Sequence, residues 1–521
     1  MGMVYFVYKL KDISFLSEVF MKRRVLSLLL ALLLAGGMIA CSEQNSGEPA
    51  APANDPAVSA GAEETGPAET EDPYAYLYED LPTGDFEGRS FTILTPIHAE
   101  SDFVGEVDGD VISEAVYRRN LKVEEDLNVT VVPVSEAGLW DDQANYINKI
   151  KVSVMAADDS YQLISGYAAY ITSIASEGVL ANWKDVADVN FEKPWWNSDI
   201  VYEMDVAGKL FYITGDLSMT SLDYLFCLFF NKDLMTDFGF EAPYDIVRDG
   251  AWTFDVMNSY IEPVNIDVNG DGKMTIDDMY GYSSDTTNFI SAYQAAFDAD
   301  ITVKDENGLP VLAIGEESFV DKFNTMYTFL VDSPSVYLST NEGSYTDDLN
   351  REATKVFSEG RALFEAQLLG NSAALRNVEI EFGILPYPKY TEDQADYMTT
   401  AWDAYNLFCI PLTADLDFVG KITEYMAACS FEIVLPAFYD KALISKYARD
   451  TESADMIAII RESATYNFGQ VNSIHCSSCG HIYRDLVSAK NPNIASKVAG
   501  SMKPMTKSLE RFIEKSYINV P

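Results

Sequence analysis

The run RSFTILTP, residues 89–96, reads as a buried strand, and the segments after it decide the fold. SEAVYRRNLKVEEDL (113–127) has the spacing of an amphipathic helix, and NVTVVPV (128–134) reads as a second strand. DDQANYINKIKVSVMAA (141–157) reads as a second helix and YQLISGY (161–167) as a third strand. Strands alternating with helices over short connections predict parallel β-α-β units with helices on both faces, hence an α/β fold. In such sheets ligands gather beyond the carboxyl ends of the strands, in the crevice where strand order reverses. The alternation resumes with YLFCLFFNKDL (224–234), the helical region after Trp252, and EFGILPYPK (381–389).

A chain of 521 residues, 48% hydrophobic and 12% aromatic, can bury a large core, and its length suggests two or more lobes. Its formal charge of −45 comes from 81 acidic against 36 basic residues, a balance that repels nucleic-acid phosphates. Near the start, MKRRVLSLLLALLLAGGMIAC (Met21–Cys41) joins a basic segment, an apolar stretch and small residues ahead of a cysteine. That pattern is a secretory signal and resembles a bacterial lipoprotein signal, with MIAC as the lipobox and Met38 in place of the commoner Leu. The resemblance implies a start at Met21, cleavage before Cys41, lipidation of the Cys41 thiol and an extracytoplasmic protein anchored to the bilayer without spanning it. The Ala-, Pro-, Gly- and Glu-rich stretch after Cys41 has no Lys or Arg from Ser42 to Gly88 and reads as a disordered tether over 41–87. The remaining cysteines are Cys227, Cys409, Cys429, Cys476 and Cys479. They are odd in number, and the first three sit in apolar runs, so they read as small buried hydrophobes and not as a disulfide framework.

Further segments recur in a fixed order: GDVISEAVYRRNLKVEEDLNVTV (109–131), SGYAAYITSIASEGVLANWKDV (165–186), KPWWNSDI (193–200), GKLFYITGDLS (208–218) and LFFNKDLMTDFGF (228–240). Later come VFSEGRALFEA (356–366), FGILPYPKY (382–390) and TTAWDAYNLFCIP (399–411). From about Gly88 onward the order resembles the bacterial extracellular solute-binding proteins, family one, the sugar-binding lipoproteins of ABC importers. The resemblance implies a type II periplasmic-binding-protein-like fold, two α/β lobes closing about a hinge. Lobe 1 is expected over 88–216 plus about 404–437, and lobe 2 over 217–403 plus about 438–521. Crossings are expected near 213–221, near 399–406 and after 431–442. It further implies a monomer that captures a mono- or oligosaccharide and delivers it to membrane permease subunits, with no catalysis of its own.

DVNGDGKMTIDD (267–278) has the ligand order of a calcium loop. Asp267, Asn269, Asp271, Thr275 and Asp278 offer side chains at the first, third, fifth, ninth and twelfth places, Lys273 its carbonyl, and Gly272 the turn. The twelfth place holds Asp where the longer Glu is commoner. A structural calcium ion is the expected cofactor; a metal-free Asx-rich turn and a dockerin loop also fit, although no paired second loop is present. YGYSS after the loop reads as a strand entry, which argues against a helix–loop–helix sensor. HCSSCGH (475–481) puts four potential zinc ligands into seven residues. Paired thiols or a short disulfide, ordinary polar residues near the cleft, and a metal site all remain open for it.

Sugars are held by aromatic faces together with carboxylate, amide and guanidinium hydrogen bonds. By its place in the resemblance, the cleft is expected to draw on Tyr167 and Tyr170 after the third strand, Asp216, Asp223 and Tyr224 at the first crossing, and Trp402 and Asp403 at the return crossing. Trp195 and Trp196 read as structural. The sequence has no GxSxG, HExxH, P-loop or strand-linked GxGxxG. An exported carbohydrate-active enzyme using paired carboxylates, and a sensor that presents ligand to a receptor, are the alternatives to a transport protein.

Overall fold

A computed structural model of the chain describes residues 75–107, 109–339, 351–443 and 451–520. The signal, Cys41 and most of the tether lie outside the described residues, as does 444–450, beside the expected third crossing. Among the described residues the strands, in chain order, are β1 (Arg89–Pro96), β2 (Val129–Glu136), β3 (Leu163–Tyr167), β4 (Phe226–Asn231), β5 (Asn265–Ile266), β6 (Met279–Asp285), β7 (Thr302–Lys304), β8 (Pro310–Leu312), β9 (Val336–Ser339), β10 (Ala362–Leu368), β11 (Phe382–Leu385) and β12 (Asn406–Cys409). No helix among them is long and apolar enough to cross a membrane.

One sheet runs in the order β2-β1-β3-β12. β1 is parallel to β2 and β3, while β12 is antiparallel to β3, with Asn406 opposite Tyr167. A bridge between Ile213 and Phe408 lays the chain leaving this lobe against the far edge of β12. In the other sheet β6 is parallel to β10 and β9, and β4 lies between β10 and β11, antiparallel to both. The orders β2-β1-β3-β12 and β9-β6-β10-β4 are therefore the same pattern. In each sheet the reversed strand is the one the chain forms just after arriving from the other lobe. This interleaving is the two-lobed type II arrangement that the resemblance implies.

β3, β4 and β10 are buried along their whole length, and β4 (FCLFFN) is accordingly written as a nearly unbroken apolar run. Between β1 and β2 runs the helix Val111–Leu127, capped by the Asp110 carboxylate, which accepts the N–H groups of Ile112 and Ser113 at 3.0 Å each. It buries Ala115, Val116, Val123 and Leu127 and stops at Asn128 in the left-handed conformation.

The two crossings lie side by side. Leu225 bridges Ala401, the Trp402 N–H donates to the Tyr224 carbonyl at 2.8 Å, and the Phe226 N–H donates to Thr400 at 3.1 Å. Gly215 allows a close approach here, since a Cβ on it would lie 2.2 Å from the Trp195 carbonyl oxygen. Trp195 and Trp196 are buried, and both indole N–H groups donate to Glu424 on the helix Leu416–Cys429, at 3.1 and 2.7 Å. Burial pushes the Glu424 carboxyl up to about 7 even so.

One boundary needs correction. The end of the expected tether packs on the body, with Tyr78 stacked on Trp195 at 6.2 Å and Phe86 edge-on to Phe418 at 5.0 Å. Those two aromatics supply the apolar surface that the preceding Ala/Pro/Glu stretch lacks, so burial outweighs the entropy of ordering.

Candidate functional site

β3 ends at Tyr167 and β6 is followed by Thr287, and both residues line a cavity of about 440 Å³ at these carboxyl ends. The return crossing forms one wall through Thr400, Ala401, Trp402, Asp403 and Tyr405. Trp140, nearly half exposed at 48%, comes from the β2 side of the first lobe. The C-terminal part of the chain closes the opposite side with Tyr466, Asn467, Gln470, His481 and Arg484. β3 and the return crossing are pinned together by the Ala168 N–H donating to the Tyr405 carbonyl at 2.9 Å and the Ala169 N–H to the Asp403 carbonyl at 3.1 Å.

The lining combines flat apolar faces with a few polar groups. The Tyr167 hydroxyl hydrogen-bonds the Asp403 carboxylate, and the Arg484 guanidinium acts on the same carboxylate. Burial nevertheless raises Asp403 above the usual carboxylate range, because the desolvation cost exceeds what these partners return. His481 is held down to about 4 by burial and by Arg484, so it is neutral at pH 7. The Tyr405 hydroxyl is buried with no hydrogen-bond partner among the described residues. A buried hydroxyl in that state costs on the order of 1–3 kcal/mol.

Tyr167, Trp402 and Asp403 are thus brought together. Tyr224 stands behind Trp402, edge-on at 5.0 Å and 74°. Four expected site residues, Tyr224 among them, do not line the cavity. Tyr170 is buried behind Tyr167, stacked at 5.4 Å, and its hydroxyl donates to the Gly138 carbonyl at 2.7 Å. Asp216 is buried against Arg461 of the helix Thr451–Glu462, whose Nε donates to it at 3.0 Å and whose Nη2 also holds the Pro194 carbonyl. Asp223 packs on Gly370, whose added Cβ would meet its Oδ1 at 2.7 Å. Asp216 and Asp223 sit beside the first crossing, where an ion pair claims the one side chain and packing the other. Sequence reasoning missed Trp140, Thr287, Tyr405, Tyr466, Asn467, Gln470 and Arg484 as lining residues; TTAWDAYN, which contains Tyr405, was the one local signal.

HCSSCGH resolves in part. Cys476 and Cys479 are free, buried thiols that hydrogen-bond each other, and Cys479 Sγ donates to the Gly469 carbonyl at 3.4 Å. His481 lines the cavity, while His475 stacks on Phe512 at 4.2 Å. No three His, Cys, Asp or Glu side chains among the described residues converge on one metal position, so the two histidines and two thiols do not form a zinc site in this conformation.

The calcium loop lies among the described residues. Its donors are oxygens of the right kind, and Gly272 takes the positive φ of 81° that the turn demands. Its carboxylates, however, are turned onto backbone donors. Asp267 accepts from Gly270 at 2.7 Å and Gly272 at 2.6 Å, and Asp278 accepts from Val268 at 2.9 Å and Thr275 at 2.7 Å. These bonds are those of an Asx-rich turn, and the donor chemistry fits a hard cation. β6 starts directly after Asp278, as the strand reading of YGYSS requires.

No family model matches the chain, and no curated protein does. Among solved structures it is similar to a cyclo/maltodextrin-binding protein complexed with maltotetraose, at 11% identity and a TM-score of 0.54, over 82% of this chain and 98% of that one. It is similar at 12% identity and a TM-score of 0.53 to UgpB from Mycobacterium tuberculosis in complex with glycerophosphocholine, over 82% and 99%. An ABC transporter solute-binding protein from Thermotoga lettingae bound with α-D-tagatose gives 12% and 0.50, over 81% and 100%. At such identities the likeness is one of fold, and that fold is the two-lobed one of binding proteins.

Proposed function

We propose that this chain is the solute-binding component of an ABC importer, and that it captures a carbohydrate in the cavity between Tyr167 and Trp402. The observation that carries this reading is the lining itself: aromatic faces from both lobes and the return crossing, with Asp403, Arg484, Asn467 and the unpartnered Tyr405 hydroxyl set among them. Such a surface suits a ring that offers C–H patches on its faces and hydroxyls at its rim. Its neighbours in fold include proteins named for binding maltodextrins and tagatose, which supports the same ligand class. Because the cavity is bounded by both lobes, a solute that touches both favours the closed state and draws the hinge shut. No catalytic step is assigned; the permease and the anchoring lipid on Cys41 are the remaining partners in this reading.

A glycan panel tested by thermal shift and by product analysis decides it. At least one glycan is expected to raise the melting temperature, by the mass-action stabilisation of about 2.7 kcal/mol at a hundredfold excess over Kd, with no product released. Hydrolysis of the stabilising glycan would move the protein to the carbohydrate-active enzymes.

For DVNGDGKMTIDD we propose a structural calcium ion held by Asp267, Asn269, Asp271, the Lys273 carbonyl, Thr275 and Asp278. The support is the donor order and the Gly272 turn; the carboxylates would exchange N–H donors for the cation. Calcium added to chelator-treated protein is expected to raise the melting temperature while leaving glycan affinity within about twofold. A melting curve indifferent to calcium would leave the loop as the hydrogen-bonded turn seen in the structure.

A further inference from the structure

A second cavity, of about 200 Å³, backs onto the aromatic one. The two share Thr400, Tyr466, Asn467 and Gln470, so that the amides of Asn467 and Gln470 line both. Their chemistry differs. The smaller cavity is lined by four carboxylates: Asp199, Glu203, Asp298 and Asp300. Two ammonium groups approach from outside the lining and are already engaged, Lys304 on the carbonyls of Tyr202 and Asp205 and Lys322 on the carbonyl of Asp298. The balance around the cavity is therefore negative.

Three of the carboxylates have one oxygen committed to the scaffold. Asp199 Oδ2 accepts from the Thr465 hydroxyl at 3.0 Å and the Tyr466 N–H, Glu203 Oε2 from the Phe468 N–H at 2.9 Å, and Asp300 Oδ1 from Asn467 Nδ2 at 3.2 Å. These bonds fix where the carboxylates sit. Burial, with the neighbouring acids adding to it, lifts Glu203 to about 7 and Asp300 to about 6. A cation brought into the cavity would reverse that penalty.

The observation that points to a ligand is Gln294. It lies on the helix Asn288–Ala296, is only 4% exposed and lines this cavity. Both its amide nitrogen and its amide oxygen are buried with no hydrogen-bond partner among the described residues. A buried primary amide left wholly unpaired is costly, and this one, a donor and an acceptor side by side, belongs to a residue in the cavity wall. A space of about 200 Å³ is room for roughly six waters at ~30 Å³ each, enough for part of a solute and not for a whole oligosaccharide.

We infer that this cavity is a subsite for the primary ammonium group of the solute, with the Gln294 amide taking one ammonium N–H and donating to a neighbouring hydroxyl or carbonyl. The solute class this selects is an amino-sugar-containing glycan, its neutral ring against the aromatic cavity and its amine among the carboxylates. The inference rests on the reading of the larger cavity as a glycan site.

The test is isothermal titration at pH 7 with matched pairs: glucosamine against glucose, galactosamine against galactose, and deacetylated against N-acetylated chitobiose. In at least one pair the amine is expected to bind tenfold or more tightly. Gln294→Leu removes an unpaired amide and keeps the bulk, so its melting temperature should not fall, while the amine preference should shrink to within threefold. Asp300→Asn should reduce the preference in the same direction. Neutral members that bind as tightly as their amines overturn the subsite and leave the glycan reading standing. A preference that survives Gln294→Leu and Asp300→Asn unchanged also overturns it. If no member of any pair binds, the glycan reading falls and the subsite with it.

Discussion

Asp102→Ala is expected to destabilise the folded chain by about 3–5 kcal/mol, the range for stranding a buried hydrogen-bonded network. Asp102 ends the 3-10 segment after β1 and is fully buried. Its carboxylate accepts from the Ser218 hydroxyl at 2.6 Å, the Thr220 N–H and hydroxyl at 2.9 Å each, and Asn406 Nδ2 at 3.0 Å. Ser218 and Thr220 belong to the first crossing and Asn406 begins β12 just past the return crossing. One side chain of the first lobe thus ties down both connections to the second. The Ser218 oxygen also accepts from the Ser221 N–H at 3.1 Å, so the network runs on into the first crossing. Burial raises the Asp102 carboxyl above its usual range, and the four donors only partly offset this. The Asn variant keeps one acceptor oxygen and should recover part of the loss. Denaturant midpoints at unchanged slope give the reading, and a loss below about 1 kcal/mol for the Ala variant would show that the crossings are held by something else.

The same network shows where sequence reasoning ends. The strand read over 89–96 is β1 to the residue, and those read over 128–134 and 161–167 overlap β2 (Val129–Glu136) and β3 (Leu163–Tyr167). These elements are legible because apolar spacing and caps act over a few residues. The reversed strands β4 and β12 are not legible as reversed, since their direction is set by which lobe the chain has just left. The site divides in the same way. Trp402, Asp403 and Tyr405 form one local group on the return crossing, so TTAWDAYN by itself points to the cavity. Thr287, Asn467 and Arg484 carry no local mark and reach it only because two sheets turn their carboxyl ends toward each other. Asp216 misleads for the same reason in reverse: its partner Arg461 is 245 positions away, and no spacing announces a long-range ion pair.

Trp402→Ala is expected to weaken binding of whichever glycan stabilises the wild-type chain by thirtyfold or more, which is about 2 kcal/mol. The indole is half-buried, faces the cavity from the return crossing, and is held by the backbone hydrogen bond to Tyr224 and the edge-on Tyr224 ring. Because its backbone sits in the strand-like pairing of the two crossings, it is positioned without needing the ligand, so little ordering entropy remains to be lost on binding. Truncation removes the aromatic face and admits water beside Asp403, weakening the polar contacts as well. The folded state should lose far less, since the edge contact with Tyr224 is worth about 0.5–1.5 kcal/mol. Trp402→Phe keeps a smaller face and should fall between the two. Tyr167→Phe separates the two contributions, because it keeps the ring and deletes only the hydroxyl bonded to Asp403. Titration calorimetry beside ligand-free melting curves distinguishes a lost contact from a damaged hinge: a Trp402→Ala affinity within threefold of wild type, with melting unchanged, would take the return crossing out of the site.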